Sequence, residues 1–412
     1  MKSITLELTA MANGGAALGR DGQGRPVFVP FTIPGETVQA RIVSEKRQFA
    51  RAVLVAVVAA SPDRIEPRCP HFGQCGGCHF QHIAYERQLE LKREVAADQL
   101  RRIGGLKDAL VRPTLAHPDP WAYRVDVSLS QTPEGGLGYW SPLLRRVMPI
   151  DTCPIIHPRL QELWHDFDLE LPGLRKLTLR VGDDGALLAA LEVEGVEPPE
   201  LAVDFPVSVA IVLPDRTAAS LVGDSFLVRS VKGRAFRVSP GCFFQPSPAA
   251  AEQLVDSVLR LAGLTGVETV VELYSGVGML TSFLSTAAAR VIGVELNPDA
   301  VADAAVNLEE TENVTLYQGT AEEVLPLLEA SPEVMVVNPP GAGMSAAVIK
   351  AVAAKASARL VYVSADVATL ARDGRLLKKA GYRLVEVQPV DMRPQTFHVD
   401  SVSLWLADGV SS

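Results

Sequence analysis

Four of the five cysteines in this chain of 412 residues follow a spacing pattern that constrains the local fold. Cys69, Cys75 and Cys78 stand in the run CPHFGQCGGCHFQH, and Cys153 follows in DTCPII. Thiolates are soft metal ligands, and a C-x5-C-x2-C run places three of them on one short glycine-bearing loop. A remote fourth thiolate would close the ligand shell. The spacing therefore predicts a metal site that brings two distant segments together.

A disulfide framework and a zinc site are the alternatives for these cysteines. A disulfide framework is disfavoured, because frameworks of that kind belong to small secreted domains and this chain is long and begins without a signal sequence. Tetrahedral zinc stays open on the residues alone, since His71, His79 and His82 lie near enough to replace a thiolate. The fifth cysteine, Cys242 in GCFFQP, is typical of a small buried apolar side chain.

Charge is unevenly distributed along the chain. The formal net charge is -9, yet residues 1–124 carry 17 Lys+Arg against 12 Asp+Glu, which leaves 22 against 36 for the remainder. A nucleic-acid footprint is therefore expected at the front of the chain. With 48% hydrophobic residues, the chain can build two or three cores. No apolar stretch reaches membrane-spanning length, so a soluble, cytoplasmic protein with no membrane partner is expected.

The first half of the sequence predicts a barrel, a connector and a helix. Residues 1–58 alternate short β-rich runs with Gly- and Pro-bearing turns, which is typical of a small β-barrel. The connector SPDRIEPRCP leads into the cysteine loop, and residues 84–103 then show apolar positions at helical spacing before Gly104 and Gly105. Residues 120–235 mix strands and turns, with a hairpin predicted around DDG.

From about residue 236 the pattern changes to strand, helix, strand. This alternation predicts a parallel sheet covered on both faces, and two final strands without a helix between them predict an antiparallel end. The first strand ends in Tyr274-Ser275-Gly276-Val277-Gly278, and the second ends in Glu295. Glycines there let the backbone approach a ligand, and an acid about twenty residues later suits ribose hydroxyls. The pair predicts a nucleoside cofactor at the mouth of the sheet.

Several motifs occur together and in a fixed order. They are CPHFGQCGGCHFQHIAYERQL, FRVSPGCFFQPSPAAAEQL, VVELYSGVGMLTSFLS, VIGVELNPDAV, VNPPGAG, and VYVSADVATLARD with VDMRPQTFHVDSVSLW. In this order they resemble the RNA uracil-5-methyltransferase family, which acts on tRNA or 23S rRNA. The resemblance implies a multidomain fold. Residues 1–58 would form an OB-like, RNA-binding TRAM β-barrel, residues 62–235 an α+β central domain with a [4Fe-4S] cluster, and residues 236–412 a Rossmann-like class I S-adenosylmethionine (SAM) methyltransferase domain.

The resemblance also implies site residues. The cluster ligands would be Cys69, Cys75, Cys78 and Cys153, with iron replacing zinc as the expected metal. The contacts to SAM would be made by the residues at the matching positions, Gln245, Tyr274, Gly276, Glu295, Thr320 and Asn338. The helix over about 84–103 is expected to pack on the C-terminal domain.

The chemistry is where this chain departs from the family. Uracil C5 is a poor nucleophile, so the family adds a cysteine thiolate to C6 and later removes the C5 proton with a base. The nucleophile position here is Ala365 in VSADV, and a methyl side chain cannot make that addition. The base position is Asp400 in FHVD, one methylene shorter than the usual glutamate. Asn338-Pro339-Pro340-Gly341 replaces DPPR, and Thr320 stands where Asn or Asp is usual.

Three hypotheses from different classes follow. The protein methylates another atom of RNA, such as an amino group, or it is a catalytically silent RNA-binding protein, or Cys242 acts as a displaced nucleophile for C5. In each case the expected partner is a single-stranded loop of structured RNA, rRNA or tRNA, because the base must be presented unstacked. A monomer is expected.

Overall fold

The computed structural model describes residues 3–132, 134, 136–166, 171, 173–194 and 204–410. Five strands open the chain: β1 (Ser3–Met11), β2 (Ala16–Arg20), β3 (Pro26–Pro30), β4 (Thr37–Glu45) and β5 (Ala50–Ala59). They close into a barrel in the order β1-β2-β3-β5-β4. Alternate side chains such as Leu6, Leu8, Val27 and Val29 are buried, because successive residues of a strand face opposite sides. The predicted barrel is confirmed.

A helix follows the cysteine loop. Helix α1 (Tyr85–Gln99) runs on into a π-helical turn (Leu100–Gly104), and Gly105 stops it in the left-handed conformation at φ 65°. The short strand β6 (Leu110–Val111) comes next. Helix α1 contacts both β1 of the barrel and the last helix and strands of the C-terminal sheet.

The middle of the chain forms a seven-stranded sheet. Its elements are β7 (Asp126–Gln131), β8 (Leu137–Ser141), β9 (Arg146–Pro149), α2 (Pro158–Asp166), β10 (Leu174–Val181), β11 (Leu187–Val193), β12 (Ser208–Val212) and β13 (Ala218–Val222). The strand order is β13-β12-β11-β10-β7-β8-β9, and α2 packs on β10. Strands β10 and β11 pair antiparallel across the turn that contains Asp183, Asp184 and Gly185, so the predicted hairpin is confirmed.

A two-stranded hairpin and a helix lead into the last unit. They are β14 (Leu227–Val231), β15 (Arg234–Val238) and α3 (Pro248–Ala262). Val231, Phe236 and Val238 share one core with α3 and with one face of the C-terminal sheet. The predicted domain boundary at residues 235/236 thus falls inside this hairpin, just after β15 begins.

The C-terminal unit alternates strands and helices. Its elements are β16 (Thr269–Leu273), α4 (Met279–Leu284), β17 (Arg290–Glu295), α5 (Pro298–Asn307), β18 (Val314–Gln318), α6 (Ala321–Leu327), β19 (Val334–Val337), α7 (Ala346–Ala354), β20 (Arg359–Ser364), α8 (Val367–Lys379), β21 (Tyr382–Val390) and β22 (Asp400–Ala407). The sheet order is β18-β17-β16-β19-β20-β22-β21-β6. Strands β16 to β20 are parallel and β22 is antiparallel to both its neighbours, as predicted. No helix among the described residues has the length and apolar character needed to cross a membrane.

Candidate functional site: a cofactor edge, an acceptor pocket and a cysteine pocket

The glycine turn lies where the strand order of the C-terminal sheet reverses. Strand β16 has β17 on one side and β19 on the other, and ligands of open α/β sheets bind at such a switch point. Tyr274, Gly276 and Gly278 follow β16 with φ values of 63°, 56° and 82°. Tyr274 is not glycine, so this φ is a strained exception of the kind that clusters at ligand sites. A Cβ placed on Gly276 would meet no atom within 4 Å, so the space above the turn is open.

Glu295 lies at the end of β17, beside this turn. Its Oε2 accepts a hydrogen bond from the Gly276 N–H at 2.9 Å, and its Oε1 accepts from the N–H groups of Leu296 and Asn297 at 2.7 and 2.8 Å. These bonds fix the carboxylate at the carboxyl edge, where the remaining lone pairs could accept ribose hydroxyls. Leu296 is an apolar side chain that is 60% exposed at the same edge.

Two of the other predicted cofactor residues, Asn338 and Thr320, follow strands of this sheet at the same edge, whereas Gln245 lies in a separate segment. Asn338 follows β19, and its N–H donates to the Leu273 carbonyl at 3.2 Å. Gln245 is half-buried in the segment before α3. Thr320 is the N-cap residue of α6, and its hydroxyl accepts the Glu323 N–H in a reciprocal capping box. A structural role as a helix cap therefore explains Thr320 without any ligand.

Ala365 and Asp400 come together through a residue that the sequence did not single out. Arg393 Nη2 donates to the Ala365 carbonyl at 2.9 Å and to Asp400 Oδ1 at 2.9 Å, while Arg393 Nε donates to Oδ2 at 3.1 Å. Ala365 lies between β20 and α8, where Asp366 caps the helix. Asp400 opens β22. The candidate base Asp400 thus forms a bidentate ion pair with Arg393, and the same guanidinium donates to the backbone carbonyl of Ala365 at the nucleophile position.

Burial and charge act in opposite directions on the groups of this pocket. Burial raises the pKa of Asp400 above its ordinary value, and Arg393 opposes the rise. Burial and the nearby Arg393 charge lower the pKa of His398 to about 3, so this histidine is neutral at physiological pH. Its ring stacks on Phe397 with centroids 4.4 Å apart.

The alternative nucleophile, Cys242, is packed away from this pocket. Its side chain is 1% exposed within the core formed around Phe236 and Phe244. Burial raises the pKa of the Cys242 thiol far above its ordinary value, and the negative charge of Asp303 raises it further. A thiol in this setting is a poor nucleophile, because the thiolate is the reactive form. The hypothesis of a displaced nucleophile finds no support here.

The four remaining cysteines line one small pocket. Cys69, Cys75 and Cys78 face it from the loop, and Cys153 faces it from the segment before α2. We call this the cysteine pocket. Two glutamine side chains hold its walls, because Gln81 accepts the Cys69 N–H at 3.0 Å and Gln161 accepts the Cys153 N–H at 2.8 Å. The predicted convergence of distant segments therefore occurs.

The form of the pocket bears on which metal it would suit. Among the residues that the structure describes, no group of three or more His, Cys, Asp or Glu side chains is placed so that it could hold a metal ion. The metal at these four thiols therefore stays a prediction, and the spacing of the cysteines alone does not separate a zinc ion from an iron-sulfur cluster.

Unpartnered polar groups surround the cysteine pocket. Four lining residues have a buried side-chain nitrogen or oxygen with no hydrogen-bond partner: His71, Gln81, Arg124 and Tyr139. Buried polar groups are nearly always paired, so such a set around one pocket indicates a missing acceptor. Arg124 also forms no ion pair with a carboxylate among the described residues. An anionic, sulfur-rich group would satisfy these donors, and the residues present therefore fit a cluster.

Comparison with known proteins places these features in a family. A family model described as tRNA (Uracil-5-)-methyltransferase matches residues 221–407, and a TRAM domain model matches residues 2–55. An RNA methyltransferase of Halalkalibacterium halodurans is 33% identical, with 98% of this chain and 97% of that protein covered. A second, of Gloeobacter violaceus, is 34% identical over 98% and 96%. The chain belongs to the RNA uracil-5-methyltransferase family.

A solved structure agrees on the fold of this RNA uracil-5-methyltransferase family member. The tRNA (uracil-54, C5)-methyltransferase of Pyrococcus abyssi, crystallised with S-adenosyl-L-homocysteine, is 23% identical. The match covers 98% of this chain and 100% of that one, with a TM-score of 0.73. The expected TRAM barrel and SAM-methyltransferase fold are therefore confirmed.

Two residues of this methyltransferase family member, Arg393 and Phe243, were not identified as candidate site residues from the sequence alone. Arg393 gave no signal, because its partners Ala365 and Asp400 are reached only through the fold. Phe243, two residues before Gln245, is 70% exposed although its neighbour Phe244 is buried. The adjacent phenylalanines belong to a single FFQ motif that lies outside any strand or helix, so no periodicity distinguishes the exposed ring from the buried one.

Proposed function

We propose that this protein is a SAM-dependent methyltransferase of rRNA or tRNA whose target is a nitrogen atom of an unpaired base. The observation that carries the proposal is the contrast between the two halves of the site. The cofactor edge has an open glycine turn and a fixed Glu295 carboxylate. Ala365, Arg393 and Asp400 form the group that we call the acceptor pocket. It has Ala365 in place of a nucleophile, and its candidate base, Asp400, is paired with Arg393.

Bound SAM supplies an electrophilic methyl group. The residues of the chain would do the rest of the binding. Glu295 would accept the ribose hydroxyls, and Tyr274, Gln245 and Gly276 would line the cofactor. A nitrogen lone pair can form the bond to the methyl carbon as the carbon–sulfur bond breaks, which releases S-adenosyl-L-homocysteine, and the methylated nitrogen then loses its proton to water. No prior covalent activation by a thiolate is required.

Asn338 is the group best suited to orient such a nitrogen. Its amide follows β19 beside the glycine turn, and amide oxygens accept hydrogen bonds from amino groups. An aromatic face is also needed to hold the base. Gly341 lacks one, and the exposed ring of Phe243 would supply it by stacking.

The test is to identify the product. Purified protein is incubated with SAM and mixed cellular RNA, and the digested nucleosides are analysed by mass spectrometry. We expect a nucleoside methylated on nitrogen, lost in Asn338→Ala and retained in the control Cys242→Ala. Production of 5-methyluridine would contradict the proposal, and its loss in Cys242→Ala would revive the displaced nucleophile.

A second candidate is a catalytically silent RNA-binding protein. The ion pair between Arg393 and Asp400 favours it, because both carboxylate oxygens accept hydrogen bonds from the guanidinium, and these would have to break before Asp400 could reach a proton of the substrate. In the same experiment, tight SAM binding or no SAM binding, each without any methylated product, would favour this candidate.

We also propose that the cysteine pocket holds a [4Fe-4S] cluster with a structural role. Cys69, Cys75, Cys78 and Cys153 would be the ligands, and the cluster would join the loop to the segment before α2. The unpartnered donors around the pocket support this assignment.

The metal is identified by analysis of anaerobically purified protein. We expect brown protein containing iron, and loss of both colour and iron in Cys75→Ala. Cys242→Ala is the matched control and keeps both, since its thiol lies in a separate core. Colourless wild-type protein with stoichiometric zinc would overturn the assignment.

A further inference from the structure

The turn between β8 and β9 carries an exposed apolar and basic surface. Trp140, Leu143 and Leu144 are 55%, 65% and 45% exposed, and Arg145 and Arg146 follow them directly. We call these five residues the hairpin tip. Large apolar side chains that are exposed together, rather than singly, mark interaction sites.

The hairpin tip is fixed to the cysteine loop. The Gly76 N–H donates to the Trp140 carbonyl at 3.2 Å, and the Ser141 hydroxyl donates to the Gln74 carbonyl at 2.7 Å. The contact is close, because a Cβ on Gly76 would lie 2.8 Å from the Trp140 oxygen. Residues 74 and 76 flank Cys75, so the support of the tip is the loop that forms the cysteine pocket.

The strand places neighbouring aromatic residues on opposite sides. Tyr139 lines the cysteine pocket, whereas the adjacent Trp140 faces solvent. Ser141 is fully buried and accepts the Leu144 N–H at 3.1 Å, which braces the turn. The tip is therefore a preorganised surface and loses little conformational freedom on binding.

The charge of the hairpin tip suits a polyanion. Among the described residues Arg146 has one ion-pair partner, Glu134, at 3.7 Å, and both side chains are more than half exposed. Arg145 forms no ion pair within the described part of the chain and is exposed. An aromatic platform beside solvent-exposed arginines is the combination used to bind single-stranded nucleic acid without sequence readout.

We propose that the hairpin tip is a contact site for an unpaired stretch of RNA. Trp140 stacks on a base, and Arg145 and Arg146 neutralise neighbouring phosphates. This inference rests on the proposed action on RNA and extends it, since it gives the cysteine loop a task in substrate binding. The basic surface that contacts RNA then extends beyond the barrel to the turn between β8 and β9.

The test measures binding of the full-length protein to a fluorescein-labelled, mixed-sequence single-stranded RNA by fluorescence anisotropy. Loss of one stacking contact weakens such complexes by about tenfold or more, and that loss is expected for Trp140→Ala. Trp140→Phe keeps a ring and should retain most of the affinity. Arg145→Gln with Arg146→Gln should reduce the slope of log K against log salt by roughly 1 to 2.

Two controls guard against general effects. Leu327→Ala removes an apolar side chain that is 81% exposed on another element, and Arg175→Gln removes an exposed arginine of the same domain. Both should bind RNA as the wild-type protein does. Iron content and circular dichroism of the tip variants should match those of the wild-type protein, which shows that the loop is still folded.

Wild-type RNA affinity in Trp140→Ala, together with an unchanged salt dependence in the Arg145→Gln, Arg146→Gln variant, would overturn the inference. So would an unchanged RNA affinity combined with loss of self-association in sedimentation, or with loss of binding to anionic vesicles, because the tip would then serve a second copy or a membrane. Failure of the proposed function is seen separately. RNA binding that depends on Trp140, without any methylated nucleoside, would sink the proposed enzyme and leave the tip assignment intact.

Discussion

At the scale of single residues, Ala365, Arg393 and Asp400 form one connected group. A shorter acid at Asp400 and a methyl side chain at Ala365 each look like a simple loss when only the sequence is compared. In the structure Arg393 contacts both residues. Its Nη2 donates to the Ala365 carbonyl, and its Nη2 and Nε donate to the Asp400 carboxylate. These residues therefore meet in an ion pair, and this arrangement supports the proposal that the chain acts without thiolate addition at C6 and without removal of a C5 proton.

This pairing predicts a pH-dependent loss of stability in Arg393→Gln. Without the guanidinium, the main group that opposes burial is lost, so the folded-state pKa of Asp400 rises further above the unfolded value. The variant then holds a proton over a pH range in which the wild-type carboxyl is ionised, so its stability deficit relative to the wild-type protein grows as the pH rises through the folded-state pKa of wild-type Asp400. We expect about 2 kcal/mol at pH 8 and much less at pH 5, measured by urea unfolding.

Arg393→Gln combined with Asp400→Asn is the control for that experiment. The double variant has no carboxylate to strand, so most of the stability lost at pH 8 should return. An equal deficit at pH 5 and pH 8, or a double variant as weak as the single one, would show that Arg393 acts through packing instead.

At the scale of elements, local sequence was a good guide wherever one element explains a residue. The barrel strands, the hairpin at Asp183–Gly185 and the alternating strands and helices follow from periodicity and turn residues, which act over a few positions. The fixed carboxylate of Glu295 also lies where the strand-end pattern predicts. Thr320 shows the limit of this approach, since a residue matched to a cofactor contact is also a complete helix cap.

Apart from the convergence of the four cysteines and the packing of α1 on the C-terminal unit, contacts between distant elements could not be predicted. Strand β6, only Leu110–Val111, joins the edge of the C-terminal sheet beside β21, although it lies more than 270 residues earlier. Two residues carry too little periodicity to indicate a strand. The apolar face of β15 likewise belongs to the C-terminal core, and nothing in its own pattern reveals which sheet it will cover.

At the scale of the whole molecule, helix α1 joins the cysteine loop to the segment before β22 that carries Asp391, Arg393 and Gln395. Tyr85, Gln88 and Lys92 lie on one face of α1, at intervals of three and four residues. Tyr85 donates to Asp391 at 2.9 Å, and Gln88 exchanges hydrogen bonds with Gln395 at 3.0 and 3.2 Å.

The segment that α1 holds is the one that carries Arg393. The N–H groups of His79 and Phe80, directly after Cys78, donate to the Gln395 carbonyl at 2.9 and 3.0 Å. Gln395 itself has a φ of 67°, an uncommon value for a residue other than glycine. The cysteine loop and α1 thus hold the acceptor pocket in place from outside the methyltransferase sheet.

Lys92 is the residue on which this connection depends most. Its ammonium is fully buried, as is the Asp391 carboxylate with which it pairs, and it also donates to the Arg393 carbonyl at 3.1 Å. Removing one member of a buried pair strands the other charge, and such changes cost about 3–5 kcal/mol. Lys92→Met should therefore lower the first thermal unfolding transition sharply.

Lys350→Met, at an exposed position on α7, is the matched control and should unfold as the wild-type protein does. Adding Asp391→Asn to Lys92→Met removes the stranded charge and should restore part of the stability. A Lys92→Met protein that melts with the wild-type one would mean that shape alone joins α1 to the acceptor pocket.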